Sequence, residues 1–243
     1  MQNHQIMQTA LYPSDSRGHA DHGWLNSYHS FSFAEYFDPE KMHFGALRVL
    51  NDDTVAPGKG FGKHPHQNME IISIPLSGDL EHEDSMGNKQ VIRQRDFQVM
   101  SAGTGIQHSE YNKSEDEQVK FLQIWIIPNK KNVEPRYDQI TLDKKDRFNQ
   151  WQQVVSPFED DPGVWIHQDA WFYMSSLEAG KSLDYKLHKP TNGVYLFLLE
   201  GELEIGEQKL QKRDAIGMWE LDNFYVEASS DAEILLMEVP MQL

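Results

Sequence analysis

A chain of 243 residues can bury a substantial core, either as one large β domain or as two domains of about 100 residues each. Its 22 basic and 38 acidic residues leave a formal charge of −16, which repels phosphate backbones and anionic lipid and so disfavours direct nucleic-acid or membrane binding. With no cysteine there is no disulfide framework and no thiolate nucleophile or ligand, so any metal site must be built from nitrogen and oxygen.

The N-terminal stretch "MQNHQIMQTALYPSDSRGHADHGW" has no basic segment leading into an apolar run, and no run of about 18 apolar residues occurs anywhere. A soluble cytoplasmic protein is expected. Short runs rich in Val, Ile, Phe, Tyr and Trp then predict strands at 44–51, 69–76, 89–100 and 119–128, with "DSMGNKQ" as a hairpin turn. The polar, proline-containing "IPNKKNVEPRYDQI" reads as a link, which places a domain boundary near residue 135, between 1–135 and 136–243. Beyond it the same habit returns: "LLEGELEIGEQKLQKRDAIGMW" echoes "PLSGDLEHEDSMGNKQVIRQRDFQVM", with Gly201 matching Gly78 and Asp214 matching Asp96. An all-β fold is predicted, two copies of one β-barrel or jelly-roll unit.

Within the first copy, "GKHPHQNMEI" places His64 and His66 on one face of an extended segment, with Pro65 between them favouring extension. Alone, such a pair is more often two surface histidines. A second pair at the same spacing, His108 and Glu110 in "SAGTGIQHSEYN", changes that reading, because convergence of the two would bring together three imidazoles and a carboxylate. Such a set suits divalent Fe, Mn, Ni, Cu or Zn and leaves coordination positions open for substrate and dioxygen. Glycines 58, 60, 62, 103 and 105 would let backbone approach closely there. The remaining histidines read differently: His19, His22, His29 and His43 as polar packing partners, and His82 as a surface group near a turn. The aromatic residues read as barrel core.

The spacing of His64, His66, Glu70 and Gly78, followed by Gly105, His108 and Asn112, is similar to the two motifs of the cupin superfamily. The blocks "RGHADHGWLNSYHSFSFAEYFDPEKMHFGALRVLNDD", "GFGKHPHQNMEII", "EHEDSMGNK" and "MSAGTGIQHSEYN" resemble the pirin family, most closely its bacterial quercetin dioxygenase-like branch. That resemblance implies a bicupin, two stacked β-barrels, with a mononuclear metal in the N-terminal domain only. The implied metal is iron(II) before Ni, Mn, Cu, Co or Zn, with His64, His66, His108 and Glu110 as ligands. Glu110 is also the implied catalytic base, while Glu70 and Asn112 would be supporting residues. Aligning Gly201 on Gly78 sets Leu187 and Lys189 opposite His64 and His66 and leaves His188 alone, so the second copy is expected to hold no metal. The implied activity is 2,3-dioxygenolytic cleavage of a flavonol such as quercetin with O2, releasing carbon monoxide. The alternative is a pirin-like iron-dependent regulatory protein that binds a transcription factor or metabolic enzyme, and a cupin-type isomerase or hydrolase is a third reading. A bicupin already pairs its barrels, so a monomer is expected.

Overall fold

In the computed structural model, which describes residues 7–243, the alternating strands assemble twice into the same unit, a seven-stranded sheet with a four-stranded sheet. The first six residues, part of the leader reading, lie outside the described residues. In the first unit the large sheet runs Arg136–Thr141, Asp96–Ser101, Glu70–Ser77, Val119–Ile126, Leu47–Val55, Leu25–His29, Gly18–Asp21. Its small sheet runs Gly60–His66, Ile106–Asn112, Leu80–Asp84, Lys89–Ile92. The described helices are two short 3-10 turns, and none is long and apolar enough to cross a membrane.

Strand alternation decides where the core sits. On Val119–Ile126, Leu122, Ile124 and Ile126 point one way and join Phe172, Phe197 and Met237 of the second unit in the largest apolar cluster, which ties the two large sheets together. Each such fully buried side chain contributes roughly 1.5–3 kcal/mol. The residues between them, Gln123 among them, face into the first barrel. Two strands cross between the units: Gln8–Tyr12 pairs with Ala215–Trp219 in the second, and Arg136–Thr141 pairs with Asp96–Ser101 in the first. Residues on either side of position 135 are thus hydrogen-bonded into the opposite unit.

The internal repeat is visible in backbone detail. Gly78 and Gly201 both take positive φ, 76° and 90°, at matching turns. Arg95 and Arg213 also have positive φ, 81° and 70°, and the aspartates that follow them accept backbone N–H bonds from Arg93 (2.7 Å) and Gln211 (2.9 Å). This turn breaks the strand expected over 89–100 into Lys89–Ile92 and Asp96–Ser101, which belong to different sheets. A left-handed residue locked by the Asp96 carboxylate cannot continue a pleat.

Candidate metal centre

The two histidine-bearing segments are neighbouring antiparallel strands, Gly60–His66 and Ile106–Asn112, in which His64 pairs with His108 and His66 with Ile106. Gly60 makes the pairing possible: a β-carbon there would run into the backbone carbonyl of Glu110. This glycine therefore serves strand-to-strand approach rather than approach to a metal. The result is a cluster in which ligand atoms of His64, His66 and His108 lie within 4.8 Å of one another.

The state of each ring suits ligation. His64 Nδ1 lies 2.7 Å from the Gly62 carbonyl, so this nitrogen carries the proton and donates, leaving Nε2 with its lone pair. His66 packs edge-on against Trp125 at 5.0 Å, and burial, aided by the neighbouring imidazoles, pulls its pKa down to about 3. Burial, with His64 and His82 nearby, lowers His108 to about 3 as well. Both rings are therefore neutral at physiological pH. His108 is 2% exposed, yet neither of its ring nitrogens has a protein partner. A buried imidazole with bare nitrogens, beside two others with ligand atoms within 4.8 Å, fits a divalent metal.

Glu110 follows His108 on the same face but is not within the imidazole group. It is buried, and its carboxylate accepts hydrogen bonds from Ser73 Oγ (3.0 Å) and Gln123 Nε2 (2.8 Å), side chains of the large sheet. Burial raises its pKa, opposed by His82, Ser73, His64 and Gln123. His64, His66 and Glu110 all line one cavity of about 700 Å³.

The walls of that cavity include groups for which the sequence suggested other places. Phe33, Phe61 and Trp125 line it rather than filling core. His29 does pack as expected, with Nδ1 2.9 Å from Asn51 Oδ1, but it also lines the cavity together with His19 and His22. His43 meets the Gly45 carbonyl at 2.9 Å. Asp53 was missed altogether: 3% exposed on the cavity wall, it accepts a bond from Ser27 Oγ, and burial raises its pKa to about 7. A lone aspartate in a strand carries no sequence signal for this role.

His82 requires a correction. Far from being a surface group, it is fully buried, paired across the small sheet with Glu110, its ring 5.2 Å from that of His108. The adjoining turn is exposed, but the strand Leu80–Asp84 carries His82 inward with Leu80 and Asp84. Glu70 and Asn112 are supporting groups: Glu70 accepts from Ser101 Oγ at 2.7 Å, and Asn112 donates to the carbonyls of Val55 and Glu117.

In the second barrel, matching Gly201 to Gly78 makes Leu203 equivalent to Leu80, and their partners Ala228 and Asn112 equivalent across the pair. Two and four residues earlier on that strand, Val226 stands for Glu110 and Phe224 for His108. The residue paired with Phe224 is Tyr185, so Tyr185 rather than Leu187 stands for His64, and Leu187 stands for His66. The two-residue displacement arises because the connection from this strand to the next is two residues longer in the second barrel, with six residues from Leu187 to Gly193 against four from His66 to Glu70, a difference that counting back from the glycine cannot see. His188 is exposed and stacks on Trp171 at 4.3 Å.

The chain is similar to known proteins over most of its length. The profile of the pirin family matches residues 12–126, and that of the quercetinase C-terminal cupin domain matches residues 153–239. The quercetin 2,3-dioxygenase of Escherichia coli K12 is 42% identical over 230 residues, 95% of this chain and 98% of that one. A pirin-like protein of Caulobacter vibrioides is 41% identical over 93% and 97% of the two chains. A crystal structure of a bacterial pirin from Escherichia coli in complex with nickel(II) matches with a TM-score of 0.90 at 40% identity, over 96% and 99%. Two cupin barrels with the histidine triad in the first, and likeness at this level over nearly the whole length, show that the chain belongs to the pirin family.

Proposed function

We propose that the protein is a metal-dependent dioxygenase that opens a flavonol such as quercetin with O2 and releases carbon monoxide. The observation that carries this reading is the triad of His64, His66 and His108, of which His64 and His66 line a cavity of about 700 Å³ with aromatic walls, within the size range of small-molecule sites. The names of relatives at 42% identity support the reaction class. His64, His66, His108 and Glu110 would hold the metal, with iron(II) the first choice and nickel(II) the ion named in a related structure. A bound divalent ion would supply Lewis acidity toward a substrate hydroxyl and open positions for small ligands.

The chain's own residues do the rest. Phe33, Phe61 and Trp125 offer apolar faces to a planar aromatic molecule and exclude water from around it. Asn51, His29 and Asp53 form a polar strip on the same cavity, matched to a substrate that carries several hydroxyls. Glu110 accepts the proton of the reacting hydroxyl on a carboxylate oxygen. Its raised pKa brings it toward working pH, and Ser73 and Gln123 hold it in place.

The test is oxygen uptake by iron-loaded protein with quercetin, run beside His64→Ala and a metal-free control. Uptake that follows bound iron and disappears in both controls is the expected result. Protein that holds iron yet takes up no oxygen with quercetin would overturn the flavonol reading.

A further inference from the structure

Behind the triad, on the side away from the large cavity, three buried side chains carry polar atoms that no protein group meets. His82 is fully buried and Gln98 is 1% exposed, and both ring nitrogens of the first and both amide atoms of the second lack a partner, as do the nitrogens of His108. Their positions in the two sheets bring them together. Gln98 is the paired neighbour of Ser73 on the large sheet, and His82 is the paired neighbour of Glu110 on the small sheet. Ser73 and Glu110 are hydrogen-bonded across the barrel at 3.0 Å. The ring of His82 also packs at 4.9 Å against Tyr137, whose strand borders that of Gln98, which puts His82 on the Gln98 side of the bridge.

Packing alone does not call for these residue types. Leaving a buried polar group unmet forfeits its hydration with nothing in return. The second barrel fills the same two places, four residues after Gly201 and two after Asp214, with Ile205 and Ile216, buried in an apolar cluster. Polar side chains in the first barrel therefore imply something polar for them to hold. Histidines that bind metals direct their outer nitrogen to a fixed partner, as His64 does to the Gly62 carbonyl, and His108 has no such partner from the protein.

We infer that His82 and Gln98 bind ordered water behind His108, and that His82 is a positioning residue which orients the His108 ring through that water. This rests on the metal reading of the triad but not on the flavonol reading. Buried water with two to four polar partners is a normal part of protein interiors, and this group supplies three side chains.

The test is nickel(II) binding measured in competition with a chelator, with the nickel(II) absorption spectrum recorded and metal-free thermal melts run alongside. For His82→Ile, which copies the second barrel, a folded protein with about 10- to 100-fold weaker nickel binding and a changed spectrum is expected. His82→Gln, which keeps hydrogen-bonding atoms, should recover most of that loss. A folded His82→Ile with wild-type affinity and spectrum overturns the inference. Should that variant fail to fold, Gln98→Met carries the same expectation of weakened binding, and wild-type nickel affinity there overturns it equally. Wild-type protein that binds no nickel(II) would overturn the metal reading and this inference together, whereas nickel binding without flavonol turnover would overturn only the substrate assignment.

Discussion

The two barrels share a fold and differ in what faces inward. On the large sheet of the first, a row of paired residues runs Asn51, Gln123, Ser73, Gln98, all polar. The matching row of the second runs Tyr173, Leu236, Leu196, Ile216. On the small sheets, His64, His108, Glu110 and His82 face Tyr185, Phe224, Val226 and Ile205 in equivalent places, and the second set belongs to one apolar cluster. The turns, by contrast, are kept, down to the left-handed arginine before each aspartate. The backbone is thus set by turn chemistry and by the outward alternation that joins the large sheets, while the inward positions are free to be either a packed core or a ligand site.

Making the first barrel resemble the second should produce the largest effect. His108→Phe places the second barrel's residue at the centre of the triad and removes an imidazole. Metal affinity should fall by more than about a hundredfold, beyond what loss of a supporting partner costs, with oxygen uptake falling in step. Metal analysis after dialysis checks this, and retained metal would reject His108 as a ligand. Glu110→Gln is subtler, since it keeps the shape of the side chain and removes its charge. Turnover should drop by roughly 100- to 10,000-fold while bound metal falls much less, and equal losses of both would reject Glu110 as the base.

Much of this contrast was legible in the sequence because spacing of two on a strand is a strong geometric statement. His64 with His66, and His108 with Glu110, were bound to share faces, and the structure brings their strands side by side. The repeat was legible through Gly78, Gly201, Asp96 and Asp214, residues with local backbone tasks. What stayed hidden depends on the third dimension. His82 stands among acidic residues in "LEHED", a pattern that reads as exposed, and only the pairing of its strand with Ile106–Asn112 reveals that every second residue turns inward. The aromatic and histidine residues of the cavity wall come from segments far apart in the chain, and no periodicity distinguishes Phe33 or Trp125 on that wall from Phe31 or Phe97 in the core.

The reverse substitution probes the comparison through stability. Val226→Glu puts a carboxyl in the second barrel where no Ser73 or Gln123 waits for it, among fully buried leucines and isoleucines. Thermal or denaturant unfolding should show a loss of about 3 kcal/mol or more. Glu110→Val in the first barrel should cost less, on the order of 1–3 kcal/mol, from the unmet Ser73 hydroxyl and Gln123 amide. Equal losses would mean that the interior of the first barrel is as intolerant of change as a packed core.

The effect that develops only as pH rises concerns Asp53, whose place in the second barrel is taken by Ser175. Burial raises its carboxyl from 3.8 to about 7, against the lowering effect of the Ser27 hydrogen bond. Because the folded-state value is raised, the folded protein holds a proton that the unfolded chain has released across the interval between those two values. Its contribution to stability is then fully present below the unfolded pKa and is lost as pH rises through about 7. Asp53→Asn keeps an acceptor for Ser27 and removes the titration. Metal-free variant and wild type should be nearly equally stable near about pH 4, with the variant gaining through neutrality to an advantage on the order of 4 kcal/mol near about pH 8. Denaturant melts across that range measure the difference. A difference that rises with pH would mean that near neutrality the cavity wall presents a carboxylic acid for part of the time, able to donate a hydrogen bond to a substrate oxygen. A flat difference would mean that it presents a carboxylate, which can only accept one from a hydroxyl.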